Sequence, residues 1–311
     1  MPGSPPSSEL PAGVQRDYPL ARLTTIRTGG AAELFARPGT IEELERLLAW
    51  AQRRGLEVGV IGSGSNLLIA DAGVRGLVLK LDQELSRIAF DGTRLHCGGG
   101  ARLPAVSAQA ARQGLSGLEF GVNIPGTVGG AVRMNANAYG GELARTLRWA
   151  DVVSAAGRAR RAPEELGFGY RRSSLRPGEV VAGVSFALTP LAPDAVRATL
   201  ADMRRRRREA QPSGIKTFGS TFKNPDDPRA HGRSAGQLLD AAGARGLRLG
   251  AAGFSDEHAN FVVNHGAATT AEVIAVMAEG RRRVRERLGV ELEPEVQSLG
   301  PVAFPADWGR G

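Results

Sequence analysis

Hydrophobic and polar residues alternate with a helical period in the segment GTIEELERLLAWAQRRGLEV. Its apolar residues recur at a spacing that places them on one face of a helix: Ile41, Leu44, Leu47 and Leu48. Thr40 is in position to cap this helix, Glu43 to complete a capping box, and Gly55 to end it. The apolar run LEVGVIG then predicts a buried strand, followed by a loop at SGSN. A helix, a strand and then a polar glycine loop indicate a ligand at the carboxyl edge of a sheet.

The patterns beyond residue 77 are shorter. GLVLKL, RIAFDG and TRLHCGGG predict short strands, and a helix is predicted from residue 103 to about residue 113. The next segment, GLSGLEFGVNIPGTVGGAVRMNANAYGGE, contains eight glycines and few bulky side chains, so we do not expect a regular helix there. Such a segment must wrap closely around something or pack backbone against backbone.

Strand patterns resume with ADVVSAAG and EVVAGVSFAL. After Pro190 helical and strand patterns alternate again, and the last one predicts a long helix from Thr270 to Leu288. These changes place domain boundaries near residues 80 and 195. The N-terminal segment MPGSPPSSELPAG has neither the basic start nor the apolar stretch of a signal peptide, and it predicts a disordered leader of about 15 residues.

The composition is that of a soluble globular protein. Of 311 residues, 42% are hydrophobic and 23% are charged, and no apolar run approaches the length needed to span a bilayer. The single cysteine, Cys97, excludes an internal disulfide and fits a reducing cytoplasm. We therefore expect a cytoplasmic protein.

The net charge of +8 raises the question of nucleic-acid binding. Of the 40 basic residues only three are lysines, which points to a general arginine bias rather than to one basic site. The run MRRRRREA lies at the end of a helical pattern, where it is typical of a solvated helix face, and attraction of an anionic small ligand is the second reading. The sequence lacks the basic strands interleaved with aromatics, and the recognition-helix pattern, that would favour nucleic acid.

The motif GSGSN, residues 62–66, resembles a dinucleotide-binding turn but has Leu67 where the third glycine should be. Taken alone it is equally a tight turn and a backbone cradle for phosphate. The second glycine loop, IPGTVGG, follows about 60 residues later and reads as rich in backbone donors. Together the two loops favour a pyrophosphate cradle for a long ligand such as a dinucleotide.

Other candidate residues are ambiguous from local sequence. FGYRRSSL places Tyr170 and Arg171 at a predicted strand end, where Arg171 is either a surface residue or a bidentate ligand for a carboxylate. ELEPEVQ alternates three glutamates on one face of a predicted strand, usually a solvated face, although Pro294 would break the strand and re-aim Glu295. The four histidines show no metal-ligand spacing, so no metal site is predicted. Ser220, in GSTFKNP, lacks the elbow motif of a nucleophilic serine.

Taken together these segments resemble the UDP-N-acetylenolpyruvoylglucosamine reductases, flavoenzymes of peptidoglycan synthesis. The resemblance covers about residues 20–300, in order, and it rests on these stretches: LTTIRTGGAAELFARP, VIGSGSNLLIADAGVRGLVLKL, GLSGLEFGVNIPGTVGGAVRMNANAYGGE, FGYRRSSL, QPSGIKTFGSTFKNP, AGQLLDAAGARGLRLGAAGFSDEHANFVVN and VRERLGVELEPEVQSLG. The segment after Ser173 is short, as in the short-loop members of the family, so the lid that closes over substrate in longer members must be different or absent.

The resemblance implies an α+β fold of the vanillyl-alcohol-oxidase type. A leader (1–17) would precede two FAD-binding subdomains (18–80 and 81–194) and a C-terminal α+β substrate-binding domain (195–303). The loops that would hold FAD contain no histidine or cysteine, so the flavin is expected to be non-covalent. The implied cofactor-binding residues are Thr25, Gly29, Gly62, Ser63, Gly64, Ser65, Asn66, Asn123, Ile124, Pro125, Gly126, Thr127, Gly129 and Gly130.

The resemblance also implies the reaction. NADPH reduces FAD, and the flavin then passes hydride to the enol ether of UDP-N-acetylglucosamine enolpyruvate. Ser220 would be the proton donor, with Arg171 and Glu295 as its catalytic partners; Arg171 would stabilise the enolate. The implied substrate-binding residues are Tyr170, Asn224, His258 and, as alternatives for the diphosphate, Arg208 and Lys216. We expect a monomer or weak oligomer.

Two alternatives remain at this stage. Another flavin-dependent sugar or lactone oxidoreductase would share the fold, although GSTFKNP and LEPEVQ argue against it. A basic nucleic-acid-binding protein belongs to a different class. Visible flavin absorbance of the purified protein distinguishes the classes, because a nucleic-acid-binding protein would instead bind duplex DNA with steep salt dependence.

Overall fold

The structure is a computed structural model that describes residues 10–212, 214–306 and 308. The α-helices of the described residues are α1 Ile41–Arg53, α2 Leu103–Arg112, α3 Val128–Arg133, α4 Pro193–Ala210, α5 Ala235–Ala241 and α6 Thr270–Leu288. The strands are β1 Gln15–Pro19, β2 Ala31–Ala36, β3 Val58–Val60, β4 Leu67–Ile69, β5 Val74–Leu79, β6 Ile88–Asp91, β7 Arg94–Gly98, β8 Leu115–Ser116, β9 Asn137–Ala138, β10 Gly141–Glu142, β11 Leu147–Ser154, β12 Gly157–Arg161, β13 Val180–Ala187, β14 Thr189–Pro190, β15 Thr217–Ser220, β16 Arg248–Leu249, β17 Ala252–Phe254, β18 Phe261–Asn264 and β19 Gln297–Leu299. None of these helices combines the length and the apolar composition that crossing a bilayer requires, within the part of the chain described.

The described residues form two compact units. Unit 1 takes those within Met1–Tyr18, Glu33–Ser63 and Arg75–Arg207, and unit 2 takes those within Pro19–Ala32, Gly64–Val74 and Arg208–Gly311. The division in sequence therefore falls inside the first glycine loop, after Ser63.

The described residues of unit 1 form two larger sheets, besides the two-stranded pairs β9–β10 and β8–β14. One has the strand order β1-β2-β5-β3, with β3 parallel to β5 at its edge, and α1 buries Leu44 and Leu48 in the core beneath it. The other is antiparallel with the order β12-β11-β13-β7-β6. Its core contains Phe186 from β13 and the apolar faces of α2 and α3. Burial of these faces supplies the main stabilisation of the unit.

Unit 2 is built on an antiparallel sheet of order β15-β18-β17-β16, covered by α5 and α6. Phe218, Phe222 and Phe254 are fully buried in its core. A parallel pair, β4 with β19, belongs to the same unit. The Thr270 hydroxyl donates to the Ile69 carbonyl at 2.7 Å and so ties the start of α6 to β4.

The strongest helix predictions are confirmed, with one local correction. α1 begins after Thr40, whose side chain accepts from the Glu43 amide, and α6 spans the predicted residues. The Glu43 carboxylate, however, accepts from the Gly39 amide at 2.7 Å rather than from the Thr40 amide. The reciprocal half of the capping box is therefore shifted by one residue.

Three other predictions need correction. β3 is an edge strand and Val60 is 36% exposed, so the predicted buried strand is only half-buried. The glycine-rich segment does contain a helix, α3, because Thr127 caps it by accepting from the Gly130 amide. Strand β1 begins inside the predicted leader and is anchored by Tyr18, which stacks on Phe35 at 4.0 Å. Residues 1–9 of that leader lie outside the described residues.

Candidate functional site

Unit 1 has a cleft where several strand ends and glycine turns meet. Its lining residues come from the end of β3, the end of β5, the turn after β7, the start of α3 and the start of β13: Val60, Ile61, Gly62, Lys80, Leu81, Gly99, Gly100, Thr127, Gly129, Gly130, Arg133, Glu179, Val180 and Val181. The two glycine loops that the sequence separates by about 60 residues therefore line one cleft.

The walls of this cleft are packed so closely that glycine is required. A Cβ added to Gly62 would lie 2.4 Å from the Thr127 Oγ1, and one on Gly99 would lie 1.8 Å from the Val181 carbonyl oxygen. A Cβ on Gly129 would approach the Gly99 carbonyl to 3.0 Å. The glycines thus bring backbone against backbone and leave peptide groups as the cleft surface.

The two loops differ in the hydrogen-bond donors that they leave available. In the described part of the chain, the backbone amides of Gly62 and Ser63 in unit 1, and those of residues 64–66 in unit 2, donate to no protein acceptor. In the second loop the Val128 amide donates to Ala101 at 2.8 Å and the Gly129 amide to Gly99 at 2.7 Å. The prediction that the second loop offers many free donors is therefore wrong, because these amides already donate to neighbouring backbone carbonyls. The second loop forms part of the cleft wall.

Lys80 is the charged group of this cleft that the sequence reasoning missed. Its ammonium group donates to the Gly62 carbonyl, and burial lowers the pKa of Lys80. The Arg133 guanidinium donates to the carbonyls of Leu175 at 3.2 Å and Glu179 at 2.8 Å. Both residues hold backbone around the cleft. The sequence offers a sign that Lys80 is special, since it is one of only three lysines in the chain. Gly99 could likewise have been noticed, since it lies at the end of a predicted strand.

Unit 2 contains the rest of the first glycine loop. The Thr25 amide donates to the Gly64 carbonyl at 3.0 Å, and its hydroxyl approaches the same oxygen at 3.3 Å. Gly64 has φ +61° and a Cβ there would lie 2.1 Å from the Leu23 carbonyl. Gly29 has φ +104° and faces Ile69. These predicted cofactor residues thus pack closely against neighbouring backbone within unit 2.

Ser220 ends β15 in unit 2 and is half-buried. Gly219 before it has φ +83°, and a Cβ at Gly219 would lie 3.8 Å from the Ser65 carbonyl oxygen, so the serine loop runs beside the first glycine loop. The Thr221 carbonyl accepts from the Glu295 amide at 2.9 Å, and the Asn66 side chain donates to the Glu295 carbonyl at 3.1 Å. The structure therefore brings the backbones of Ser220, Glu295 and Asn66 together.

The predicted strand of alternating glutamates is wrong. Apart from an isolated bridge between Phe222 and Pro294, this part of the chain is not a strand, since proline has no amide to donate to a ladder. The other two glutamates form ion pairs: Glu291 with Arg281 at 2.8 Å and Glu293 with Lys223 at 3.3 Å. Glu295 is the least exposed of the three.

Arg171 lies in a tight turn of unit 1 rather than at a strand end. The turn closes through hydrogen bonds between Gly169 and Arg172, and Arg171 takes φ +57° because it is the left-handed residue of this turn. The Arg171 guanidinium lies 5.1 Å from the centre of the Tyr170 ring and approaches the Asn137 carbonyl at 3.5 Å. Tyr170 is 48% exposed.

Comparison with known proteins agrees with this arrangement. The "UDP-N-acetylenolpyruvoylglucosamine reductase, C-terminal domain" family matches residues 211–299, and the "FAD binding domain" family matches residues 32–162. The "UDP-N-acetylenolpyruvoylglucosamine reductase 2" of Symbiobacterium thermophilum is 44% identical over 292 residues, which cover 93% of each chain. The reductase of Rubrobacter xylanophilus is 43% identical over 91% of this chain and 94% of its own.

The chain belongs to the UDP-N-acetylenolpyruvoylglucosamine reductase family. A solved structure of a family member, MurB from Thermus caldophilus, is 39% identical and superposes with a TM-score of 0.79 over 92% of this chain and 98% of that one. The fold is accordingly the α+β FAD-binding fold of this reductase family, followed by its C-terminal domain.

Several residues that the resemblance assigned to FAD do not line the cleft of this reductase family member. Asn123 is buried and its side chain donates to the Met203 carbonyl at 2.7 Å, so it holds α4. Ile124 packs against the core of the antiparallel sheet, and Gly126 accepts from the Leu103 amide at 3.0 Å. Pro125 is exposed. Together these residues connect the second loop to its surroundings.

Of the substrate residues implied by the resemblance, His258 and Asn224 accept hydrogen bonds from backbone amides, whereas Arg208 and Lys216 are exposed. His258 is half-buried, accepts from the Asn260 amide at 3.2 Å through Nδ1, and has its pKa lowered, chiefly by burial. Asn224 accepts from the Ala235 amide at 3.1 Å, which fixes the start of α5. Among the described residues, no group of three or more histidine, cysteine, aspartate and glutamate side chains has the geometry of a metal site.

Proposed function

We propose that this chain reduces UDP-N-acetylglucosamine enolpyruvate to UDP-N-acetylmuramate, with FAD as cofactor and NADPH as hydride donor, in peptidoglycan synthesis. The observation that carries this proposal is the identity of more than 40% with named reductases over more than 90% of the chain. The match to the FAD-binding family covers residues 32–162, and the match to the C-terminal domain of the reductases covers residues 211–299. The order of the two matches agrees with a cofactor-binding part followed by a substrate-binding part.

The residues present fit FAD. The backbone amides of Gly62 and Ser63 donate no hydrogen bond among the described residues. They are suited to phosphate oxygens, because successive backbone amides form anion-binding concavities. Lys80 adds positive charge beside Gly62, and Gly99 and Gly129, packed against neighbouring backbone, leave peptide groups as the cleft wall. FAD bound there supplies the hydride, taken from NADPH, that reduces the enol ether.

The roles of the side chains in the reaction are part of the proposal. Arg171 would stabilise the negative charge that develops on the substrate carboxylate, an electrostatic effect of about 3 kcal/mol for one such group. Ser220 would then protonate the carbon next to that carboxylate. A hydroxyl is a weak acid in water, but it needs only to meet a strongly basic enolate at hydrogen-bond distance. Glu295 would either orient the substrate carboxylate or, if protonated, donate a hydrogen bond to it. The hydrogen bond from the Glu295 amide to the Thr221 carbonyl supports placing Ser220 and Glu295 in one site.

The substrate contacts are proposed on the same grounds. Tyr170 and His258 would line the site, Asn224 would contact the substrate as well as α5, and Arg208 or Lys216 would bind the diphosphate. The remaining FAD contacts would come from Thr25, Gly29 and residues 64–66. We also propose a monomer or weak oligomer acting in the cytoplasm, with FAD-binding subdomains at 18–80 and 81–194 and a substrate domain at 195–303.

Single-turnover kinetics of Ser220→Ala test this function. Wild-type protein should carry flavin absorbance, be bleached by NADPH under anaerobic conditions, and recover its colour when the enolpyruvyl substrate is added. Ser220→Ala should be bleached normally but recover about a hundredfold or more slowly, since a general acid contributes about 10²–10⁴ in rate. Ser298→Ala, at an exposed serine of β19, is the control and should behave as wild type.

Three outcomes would contradict the proposal in whole or in part. Wild-type protein that neither carries nor rebinds flavin is not a reductase. Ser220→Ala that recovers at the wild-type rate leaves the reaction intact but removes Ser220 as its acid. Recovery driven by oxygen alone, without the enolpyruvyl substrate, would favour an oxidase of the same fold.

A further inference from the structure

The loop that carries Ser220 lacks the regular strand pairing that would hold it. β15 pairs with β18 at Thr217–Val263 and at Ser220–Phe261, and the register is irregular between these pairs. Beyond Ser220 the partner strand has ended, because β18 begins at Phe261. The backbone that follows Ser220 must therefore be held by other groups.

Asn260 takes the place of the missing strand. Its side-chain Nδ2 donates to the Phe222 carbonyl at 2.9 Å, and its Oδ1 accepts from the Phe222 amide at 2.9 Å. Its own carbonyl accepts from the Thr221 amide at 2.8 Å. Asn260 is 4% exposed, so these bonds lie in an apolar environment where an unmade bond is costly. The side chain of Asn260 thus fixes Phe222, and its backbone carbonyl fixes Thr221.

The remaining polar group of Asn260 holds His258. The backbone amide of Asn260 donates to His258 Nδ1 at 3.2 Å, so Nδ1 is the unprotonated nitrogen and Nε2 carries the hydrogen of the neutral ring. The ring is packed against Phe261 with centroids 4.6 Å apart. The pKa of His258 is lowered, mainly by burial, which favours this neutral form. Nε2 is therefore presented as a hydrogen-bond donor.

The same loop is connected to Glu295. Thr221, held by Asn260, accepts from the Glu295 amide at 2.9 Å, and the Lys223 amide donates to the Glu293 carbonyl at 2.9 Å. A displacement of the loop at Phe222 would therefore move Ser220 and Glu295 together. All of these contacts lie within unit 2.

We propose that Asn260 is a positioning residue of the reductase: its side chain fixes the Ser220 loop for proton delivery, and its backbone amide holds His258 with Nε2–H directed as a donor to the nucleotide-sugar substrate. This inference rests on the proposed function. The Asn260 side chain touches no reacting atom; it acts through Phe222. Removal of the Asn260 side chain should slow the half-reaction that needs Ser220. The reduction of the flavin by NADPH should be unaffected.

The experiment compares the two half-reactions of the holoenzyme in Asn260→Ala and Asn260→Asp. For Asn260→Ala we expect flavin reoxidation at saturating enolpyruvyl substrate to slow by about tenfold or more, and reduction by NADPH to stay within about twofold. The solvent deuterium isotope effect on reoxidation should increase, because protonation becomes more nearly rate-limiting. The defect should appear mainly in kcat, because the backbone amide that donates to His258 Nδ1 is kept in this variant.

Asn260→Asp is the conservative variant and keeps the side-chain volume if the alanine variant folds poorly. Its carboxylate retains the acceptor for the Phe222 amide but opposes the Phe222 carbonyl, which raises the pKa of the new acid. Lowering the pH from about 8 to about 6 protonates it and restores a donor. Its reoxidation rate, relative to wild type at each pH, should therefore rise as the pH falls.

Asn264→Ala is the matched control. Asn264 is also 4% exposed, its Nδ2 donates to the Ile26 carbonyl at 3.0 Å, and its Oδ1 accepts from the Gly266 and Ala268 amides. Its loss should cost stability without changing the ratio of the two half-reaction rates. If Asn260→Ala gives the same ratio as Asn264→Ala, the inference is wrong. If wild-type reduced flavin is not reoxidised by the enolpyruvyl substrate, the proposed function itself fails, and the inference with it.

Discussion

Gly62 is the residue whose substitution tests the cleft most directly. An added Cβ would lie 2.4 Å from Thr127 Oγ1 and 3.2 Å from Thr127 Cγ2, whereas real Cβ atoms essentially never approach a heavy atom within 3.0 Å. Gly62→Ala therefore forces the Thr127 hydroxyl to move by at least 0.6 Å, the difference between 3.0 and 2.4 Å. The backbone of Gly62 has ordinary φ, so crowding is the only cost.

The expected magnitudes follow from what Thr127 does. Its hydroxyl caps α3 by accepting from the Gly130 amide, a long bond of 3.4 Å, so Thr127→Ala should cost about 0.5–1 kcal/mol. Gly62→Ala should cost about 1–3 kcal/mol as an overpacking change. In the double variant the clashing atoms Oγ1 and Cγ2 are gone. The double variant should therefore cost less than the sum of the single ones by about 1–2 kcal/mol.

Urea unfolding of the FAD-loaded protein, followed by circular dichroism at fixed FAD concentration, gives these free energies, and flavin fluorescence gives FAD affinity. Gly62→Ala should also weaken FAD binding, and Thr127→Ala should restore part of the lost affinity. Gly266→Ala is the control, since a Cβ there meets nothing within 4 Å and its φ is not positive. Strictly additive costs, or a Gly62→Ala protein as stable as Gly266→Ala, would refute the close approach of the two loops.

Two further variants test single groups of unit 2. Thr221→Val should raise the free energy of unfolding by about 1 kcal/mol, measured by urea denaturation, because the Thr221 hydroxyl is buried without a hydrogen-bond partner among the described residues; a loss of stability would show that this hydroxyl does have a partner. The lowered pKa of His258 contributes stability that is complete above its unfolded pKa of about 6.5 and is lost as the pH falls toward the lower folded value. His258→Gln should thus reduce the fall in melting temperature between about pH 7.5 and about pH 5.5, and an unchanged fall would contradict a neutral buried ring.

Local sequence predicted those parts of the fold that local interactions decide. α1 and α6 have their own caps and apolar faces, so their limits follow from the sequence. The exposure of Val60 did not follow, because whether a short apolar strand is central or at an edge depends on partners far away in the chain. The same holds for α3, where a single capping threonine overrides the low helix propensity of two glycines.

The structure places the candidate site residues by contacts that local sequence does not encode. The first glycine loop was identified because glycines after a strand have a clear meaning. Asn123 was assigned to the cofactor but holds α4 through the Met203 carbonyl, a contact over 80 positions of sequence that no local pattern encodes. Asn260 was overlooked for the same reason: an asparagine beside a strand is ordinary until its two bonds to Phe222 are seen.

The missing third glycine of GSGSN has a structural reason that also separates this cradle from a dinucleotide-binding turn of the Rossmann type. In that turn the third glycine allows a helix to pack closely on the preceding strand. Here Leu67 instead begins β4, which pairs in parallel with β19 from Gln297 onward. No helix starts directly after this loop, so the loop does not lead into a helix N-terminus as the Rossmann turn does. The proposed anion site would then use the amides of Gly62 and Ser63, which donate to no acceptor among the described residues, and Lys80. The ammonium group of Lys80 already donates to the Gly62 carbonyl.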